Sequence, residues 1–305
     1  MTVRLSVRTA VWRSQIARYA ARLDGLVPVV KGNGYGFGRA RLAEIAADFS
    51  SYVAVGNVHE LAGLPSSLTP IVLTPTLRPP RSTQPILTVG RREHIAALSG
   101  WDGRVIVKLS TELRRYGGDA ALIGAVRAAG LGFAGVALHP PLAGTDDDRV
   151  RQVLAHLADV PRDTVVWVSH LGPEAFAALP DSHRFRLRVG TALWHGDKSS
   201  LQLEADVLNV RPVEAGQVAG YRSGEVASSG HLVMIGAGTA NGVTELPDGR
   251  SPFHFGRQRM ALHESPHMHT SMAFVPDGQP LPSIGSWVDV QRPLHMTHVD
   301  EYRWQ

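Results

Sequence analysis

The chain has 305 residues, of which 44% are hydrophobic and 19% charged, with a formal net charge of +4. This composition supports a packed core and excludes a disordered chain. With no cysteine, disulfide frameworks, cysteine zinc sites and thiol nucleophiles are excluded, and a reducing, cytoplasmic location is favoured. No apolar run reaches the roughly 18 residues of a membrane span, and an arginine excess alone is weak evidence for nucleic-acid binding. We therefore expect no membrane or nucleic-acid partner.

The first two thirds of the chain predict alternating helices and strands. An amphipathic helix is predicted between Ala10 and Leu23, where apolar residues recur at helical spacing. The predicted strands are Leu26–Lys31, Tyr52–Gly56, Ile71–Leu73, Ile86–Val89, Arg104–Lys108, Gly132–Leu138, Val165–Ser169 and Phe185–Val189. The helices predicted between them are Ala40–Phe49, His59–Leu64, Arg92–Leu98, Ala120–Ala129, Asp148–Leu157 and Pro173–Leu179.

This order predicts an α/β fold, a (β/α)₈ barrel of the TIM type over residues 1–200. An open doubly wound sheet is the alternative. No GxGxxG follows the first strand and no GxxxxGK[ST] occurs, which argues against dinucleotide and nucleoside-triphosphate binding.

Residues 201–305 have a different composition, rich in valine, glycine and proline. This composition predicts a smaller β domain. Its predicted strands are Ala205–Val210, Gln217–Tyr221, His231–Ile235, Met272–Val275 and Trp287–Gln291.

Lys31 closes the first barrel strand and begins the loop KGNGYGFG of residues 31–38. Catalytic residues of such barrels lie at the C-terminal ends of the strands, so we expect Lys31 at the mouth of the barrel. Burial there would make its amine a nucleophile, and the glycines would let the backbone approach a ligand near Tyr35. A flexible loop with a solvated lysine is the alternative.

Five separated motifs resemble those of the alanine racemases, enzymes that use pyridoxal phosphate (PLP) on a (β/α)₈ barrel followed by a β domain. The loop that begins at Lys31 is similar to the segment with the cofactor lysine. The other matches follow in the family's order: VKLSTELRRYG at 107–117, LHP at 138–140, RVGTALWHG at 188–196 and IGAGTANG at 235–242. The resemblance covers nearly the whole chain and implies a PLP-dependent enzyme that acts on a small amino acid.

The resemblance also implies roles for the residues that bind the cofactor. Lys31 would bind PLP covalently and then act as a base on one face of the substrate's α-carbon. The phosphate would be held by Tyr35 and Ser169, together with the backbone of Gly190 and Thr191.

Four basic residues would complete this site. Arg188 would face the pyridine nitrogen, and His139 would pack against Arg188 and polarise it. Arg115 would contact the cofactor oxygen or the substrate carboxylate, oriented by Lys108, carbamylated or not. Because the pKa of a guanidinium exceeds about 12, an arginine cannot hand its proton to the ring nitrogen, and this favours removal and return of the α-proton over side reactions.

The sequence departs from the family at the second acid/base group that racemisation needs. The family supplies it as a tyrosine from the β domain of the partner subunit, at a position where this chain has Thr239. A threonine hydroxyl ionises far above the pKa of about 10 of a phenol, so it cannot replace a phenol as a base. This departure puts standard alanine racemase activity in question.

The segment PHMHTS at 266–271 offers a replacement in His269, because histidine titrates near neutrality. The spacing of His263, His267 and His269 is also compatible with a metal site, with His267 and His269 as its ligands. A turn with incidental histidines is the alternative.

The leading interpretation is a PLP-dependent enzyme with racemase-like chemistry at the α-carbon of a small amino acid. One alternative is a lyase, aldolase or decarboxylase that uses one base, assisted by a metal at His267 and His269. Another is a non-catalytic PLP-binding protein. The resemblance further implies a head-to-tail homodimer in which Thr239 and His269 of one chain face Lys31 of the other.

Overall fold

The chain begins with a strand, β1 (Val3–Val7), that does not join the barrel expected from the sequence. The structure, a computed structural model, describes residues 2–305. The chain divides into two compact units. The first unit is Gln15–Gly196, and the second consists of the residues up to Ser14 together with Asp197–Gln305. The division differs from the expected domains 1–200 and 201–305 at the N-terminus, because β1 pairs with strands of the second unit.

Eight parallel strands of the first unit form the barrel, which confirms the predicted fold class. They are β2 (Leu26–Pro28), β3 (Tyr52–Val55), β4 (Thr69–Val72), β5 (Ile86–Val89), β6 (Arg104–Lys108), β7 (Gly132–Ala137), β8 (Val165–Ser169) and β9 (Arg184–Val189). Each observed boundary lies within three residues of its prediction. Short runs of buried valine, isoleucine and leucine form these strands, as parallel strands covered on both faces require.

The strands pair around the barrel in the order β2-β9-β8-β7-β6-β5-β4-β3. A single bridge between Val29 and Ala54 joins β2 to β3 and closes the ring. The β4–β5 pairing also consists of one residue pair, Ile71 with Ile86. The other neighbours pair over three to five residue pairs or, for β7 and β8, over two.

Seven α-helices are described within residues 2–305: α1 (Thr9–Ala20), α2 (Arg39–Ala46), α3 (Arg92–Ala96), α4 (Leu122–Ala128), α5 (Asp146–Ala155), α6 (Pro173–Ala177) and α7 (Thr191–Trp194). The segment predicted as a helix at 59–64 is a 3₁₀ turn at Val58–Leu61. Helix α5 begins with a capping box between Thr145 and Asp148, which satisfies the first backbone N–H groups. No helix among residues 2–305 is both long and apolar enough to cross a membrane.

The second unit is built on a largely antiparallel sheet. Besides β1, the strands of this sheet are β10 (Leu201–Val213), β13 (Gly230–Ile235), β14 (Phe253–Phe255), β15 (Gln258–Arg259), β16 (Ala261–Leu262), β17 (Ser271–Pro276), β18 (Trp287–Val290) and β19 (Glu301–Trp304). Strands β11 (Val218–Ala219) and β12 (Gly224–Glu225) form a separate two-stranded sheet. Strand β10 is the centre of the larger sheet, because this 13-residue strand pairs with β1, β18 and β13 along its length.

A buried ion pair ties three of these strands together. Nη2 of Arg4, on β1, lies 2.9 Å from Oε2 of Glu204, on β10. The guanidinium carbon of Arg4 also lies 3.4 Å from the ring centroid of Trp287, on β18. Both charged side chains are nearly excluded from solvent, so each depends on the other for its charge to be tolerated.

We expect Glu204→Ala to lower the free energy of unfolding by about 3–5 kcal/mol, because it leaves the buried Arg4 guanidinium uncompensated. The double variant Arg4→Met/Glu204→Leu removes both charges and should be less destabilised than the single variant. Chemical denaturation of the three proteins measures the difference. Equal losses in the single and double variants would contradict a role for the charge pair.

Candidate active site

A cavity of about 700 Å³ lies at the C-terminal mouth of the barrel. Residues at or just after the ends of seven of the eight strands line it, as expected where such barrels carry their functional residues. All nine barrel residues to which the family resemblance assigned a site role line this cavity: Lys31, Tyr35, Lys108, Arg115, His139, Ser169, Arg188, Gly190 and Thr191.

Arg188, on β9, is a buried cation held by backbone carbonyls. Its Nη2 donates to the Leu138 carbonyl at 2.7 Å and its Nε to the Val168 carbonyl at 3.3 Å. Among the described residues, its Nη1 has no hydrogen-bond partner and no carboxylate pairs with the guanidinium. Burial lowers the pKa of Arg188 to about 10, which leaves it protonated at neutral pH. The cavity therefore contains a fixed positive charge with an unused donor.

Lys108, the last residue of β6, shares this electropositive environment. Burial, and then the charges of Arg188 and Arg115, lower the pKa of Lys108 to about 7. A lysine with this pKa is a partly neutral amine at neutral pH, which makes it able to act as a nucleophile.

Two histidines, His139 and His170, lie side by side in the cavity with ring centroids 4.3 Å apart. Burial, followed by the neighbouring Arg188 charge, lowers the pKa of His139 to about 2. Burial also lowers the pKa of His170, whose Nδ1 donates to the Pro140 carbonyl at 2.8 Å. Both rings are therefore neutral at neutral pH. Arg188 bonds to the backbone of Leu138 rather than to the neighbouring His139 ring.

Tyr35 fills the space beside Gly190. A Cβ on Gly190 would lie 1.9 Å from the Tyr35 hydroxyl oxygen, so glycine is required for this approach. Burial raises the pKa of Tyr35 to about 12, and the phenol stays protonated as a hydrogen-bond donor. Ser169, at the end of β8, is buried and pairs in register with Arg188 on β9.

The expected burial of Lys31 is wrong for this structure, in which the side chain lines the cavity but remains exposed. The reason is its place beyond the end of β2, in the loop at the mouth of the cavity. Arg115 is exposed as well, with its guanidinium carbon 5.2 Å from the ring centroid of Tyr116.

Sequence reasoning missed several residues of the cavity wall: Tyr19, Tyr116, Asp146, Arg149 and His170. Arg149 and Asp146 pair at 2.9 Å at the start of α5, and Nη1 of Arg149 donates to the carbonyls of Leu142 and Gly144 at 2.9 Å each. His170 directly follows the predicted strand that ends at Ser169, so its position at a strand end was the available signal.

In the second unit, the structure places the Thr239 and His269 segments side by side. The backbone N–H of Thr239 donates to the His267 carbonyl, and that of Ala240 to the Met268 carbonyl, each at 2.8 Å. Thr239 and His269 are exposed. His269 lines a separate cavity of about 400 Å³ with Ala240, Asn241, His298 and Asp300.

Two of the three histidines considered for a metal site, His263 and His267, have other partners. His267 Nε2 lies 2.8 Å from Oε1 of Glu264, and His263 Nε2 donates to the Ala219 carbonyl at 3.1 Å. Among residues 2–305, no group of three or more histidine, cysteine, aspartate or glutamate side chains is placed to hold a metal ion.

The chain matches the family model for the N-terminal domain of alanine racemase over residues 8–197. It is similar to the solved structure of alanine racemase from Bartonella henselae with covalently bound pyridoxal phosphate, at a TM-score of 0.77 and 16% identity over 99% of each chain. Alanine racemase from Streptomyces lavendulae gives a TM-score of 0.74 and 21% identity over 100% of this chain and 97% of that one. The biosynthetic alanine racemase from Pseudomonas aeruginosa gives a TM-score of 0.73 and 18% identity over 100% of this chain and 99% of that one. No curated protein sequence matches the chain.

The low pKa of Lys108 predicts a pH-dependent stability. Between pH 7 and about 10 the unfolded chain binds more protons at this lysine than the folded protein does, so the free energy of unfolding rises with pH there, by up to about 1.4 kcal/mol per pH unit. We expect Lys108→Met to lose this rise, as measured by denaturation in CO₂-free buffers. Lys198→Met, at an exposed lysine, is the matched control. Parallel stability curves for the wild type and Lys108→Met would contradict the prediction.

Proposed function

Because the chain belongs to the alanine racemase family, we propose that it is a PLP-dependent enzyme that removes and returns the α-proton of a small amino acid. The observation that carries this proposal is the convergence of Lys31, Lys108, Arg115, His139 and Arg188 on one cavity at the barrel mouth.

The cavity fits an anionic cofactor. Its lining contains five lysine or arginine side chains but one carboxylate, that of Asp146, which is already paired with Arg149. The guanidinium of Arg188 is buried without a carboxylate partner among the described residues, and a buried charge is costly unless another charge compensates it. The phosphate and the phenolic oxygen of PLP would bring negative charge into this cation-rich cavity, and its ring nitrogen could accept a hydrogen bond from the unused Arg188 donor.

In this proposal Lys31 binds PLP covalently through its amine. Tyr35 and Ser169, with the backbone of Gly190 and Thr191, hold the phosphate; the protonated phenol of Tyr35 is a donor for it. Arg188 faces the ring nitrogen and keeps its own proton, since its pKa stays about three units above neutrality. When bound, PLP delocalises the negative charge left on the α-carbon after its proton is removed.

Lys108 and Arg115 act together to position the substrate carboxylate in this proposal. At neutral pH the partly neutral amine of Lys108 can add to CO₂, forming an N–C bond and releasing the amine proton, so that the lysine becomes an anionic carbamate. That anion would orient Arg115 toward the substrate carboxylate. His139 remains neutral, and the strand end that precedes it positions Arg188 through the Leu138 carbonyl.

The second proton carrier is proposed to be His269 of a second copy of the chain. Thr239 is chemically unsuited, while His269 lies on the neighbouring segment and is exposed to an approaching subunit. A head-to-tail homodimer would bring Thr239 and His269 of one chain to Lys31 of the other.

The chain has three lysines, so attachment of PLP can be assigned unambiguously. We expect borohydride reduction of the PLP-loaded protein to fix the label on the Lys31 peptide, as read by peptide mass spectrometry. Lys31→Ala should lose the label, and Lys198→Ala should keep it. A native protein that leaves Lys31 unlabelled would refute the proposed function.

Turnover in deuterated water tests the second proton carrier. We expect wild-type protein to convert one enantiomer of a small amino acid into its mirror image with deuterium at the α-carbon, as resolved by chiral chromatography. His269→Ala should lose inversion by about 100-fold or more but keep α-proton exchange, because Lys31 still serves one face. Tyr116→Phe, a cavity phenol in the same chain, is the comparison. Loss of inversion in Tyr116→Phe, with His269→Ala unaffected, would contradict the assignment to His269.

Thr239 also favours a second candidate, a lyase or decarboxylase that uses Lys31 as its one base. Exchange without inversion in the wild-type protein would support it over the racemase.

A further inference from the structure

The loop around Lys31 has a backbone conformation that is energetically costly for its sequence to adopt. Gly32, Gly34, Tyr35, Gly36 and Gly38 all have positive φ, with values of 66°, 64°, 53°, 93° and 83°. Glycine loses more conformational freedom on ordering than other residues, and a tyrosine in the left-handed region is strained. Contacts from outside the loop must therefore contribute to its order.

Contacts inside the loop define its shape. The Asn33 side-chain oxygen accepts from the Gly36 N–H at 3.0 Å, and the Asn33 carbonyl accepts from the Gly38 N–H at 3.1 Å. The Phe37 N–H donates to the Gly34 carbonyl at 2.9 Å. These bonds all join residues of the same turn, so they fix its curvature and leave its attachment to the barrel to other groups.

Two neighbouring side chains at the end of α7 provide the buried part of that attachment, beside an exposed bond from Arg39 Nη1 to the Gly32 carbonyl at 3.2 Å. Nε1 of Trp194 donates to the Val29 carbonyl at 2.8 Å, and Nε2 of His195 donates to the Tyr35 carbonyl at 2.7 Å. Both bonds are buried, and each joins two residues that are about 160 positions apart in the sequence. Val29 precedes Lys31 by two residues and Tyr35 follows it by four, so the two donors bracket the lysine.

The His195 ring also packs against the loop. Its centroid lies 5.8 Å from that of Tyr35, edge to face, and 5.5 Å from that of Phe37. A carbonyl can only accept a hydrogen bond, so Nε2 of His195 carries a hydrogen. The same N–H is present in the neutral Nε2–H tautomer and in the protonated ring, and the bond survives either state.

The start of the same segment contacts the other end of Tyr35. Gly190 immediately precedes α7, and its missing Cβ makes room for the Tyr35 hydroxyl. The segment from Gly190 to His195 therefore contacts Tyr35 at its hydroxyl and at its carbonyl, and it also binds the strand end before Lys31 through Trp194.

We infer that His195, together with Trp194, is a positioning residue that fixes Lys31 and Tyr35 for the ligand of the cavity. The identity of that ligand as PLP rests on the proposed function. The role of His195 in ordering the loop does not, because its hydrogen bond and ring contacts are made by the protein alone.

The test compares His195→Leu, which keeps bulk but cannot donate, with His195→Gln, whose amide can donate at a similar reach. Amide hydrogen exchange of residues 31–38 is measured without ligand, and PLP affinity is measured by absorbance titration. We expect His195→Leu to exchange at least about 10-fold faster in the loop and to bind PLP about 10- to 100-fold more weakly, as for loss of a buried hydrogen-bond partner. His195→Gln should stay within about 3-fold of wild type in both.

His183→Leu is the matched control, because His183 also hydrogen-bonds a backbone carbonyl, that of Val160, and packs on an aromatic ring away from the cavity. It should leave both measurements unchanged. His195→Asn, whose shorter amide does not reach the Tyr35 carbonyl, replaces His195→Leu if the latter fails to fold.

Unchanged loop exchange in His195→Leu or His195→Asn would overturn the inference, as would faster exchange with unchanged PLP affinity. Equal losses in His195→Gln and His195→Leu would overturn the hydrogen-bond argument. A wild-type protein that does not bind PLP would refute the proposed function instead, while the exchange measurement on the ligand-free protein still decides the role of His195.

Discussion

Arg188 carries a positive charge into the barrel with backbone carbonyls as its hydrogen-bond partners. Together with burial, that charge lowers the pKa values of Lys108, His139 and His170. Taking a guanidinium out of water is unfavourable, and two carbonyl bonds offset only part of that cost. The β7 and β8 strand ends that supply these carbonyls are fixed by the barrel ladder, so the charge cannot relax toward solvent. The fold thus maintains a positive potential at its mouth that an anion can relieve.

The neighbours of Arg188 respond as electrostatics requires. Lys108 and His139 both have pKa values lowered by burial and by the Arg188 charge, and His170 follows the same direction. A cavity full of basic side chains therefore holds fewer protons than its composition suggests. An anionic cofactor would reverse this bias by favouring protonated neighbours, so that binding of the anion and uptake of protons are linked.

The sequence predicted the barrel well because each barrel strand is a short buried run flanked by helical segments. The place of Lys31 at a strand end indicated the cavity mouth, whereas the other cavity residues were named by the resemblance to the alanine racemases. Strand β1 was missed although Val3, Leu5 and Val7 alternate as a half-buried strand does, since its partners β10 and β19 lie some 200 and 300 residues away. The contacts of Trp194 and His195 could not be predicted for the same reason, because no local sequence pattern identifies a donor whose acceptor is about 160 residues away. The exposure of Lys31 could not be read from the sequence either, because it depends on where the loop leaves β2.

The wall of the barrel is unequal in strength around its circumference. Strands β3 and β4 pair with each other over four residue pairs, yet each meets its other neighbour through one backbone pair, Val29 with Ala54 on one side and Ile71 with Ile86 on the other. Strands β3 and β4 therefore form a two-stranded unit that is weakly paired with the rest of the barrel on both sides. Gly56, Leu73 and Thr74, which follow these two strands, line the cavity, so the part of the barrel with the fewest backbone pairs also forms one side of the cavity wall. The opposite side, where β8 and β9 share five residue pairs, is the one that holds Arg188.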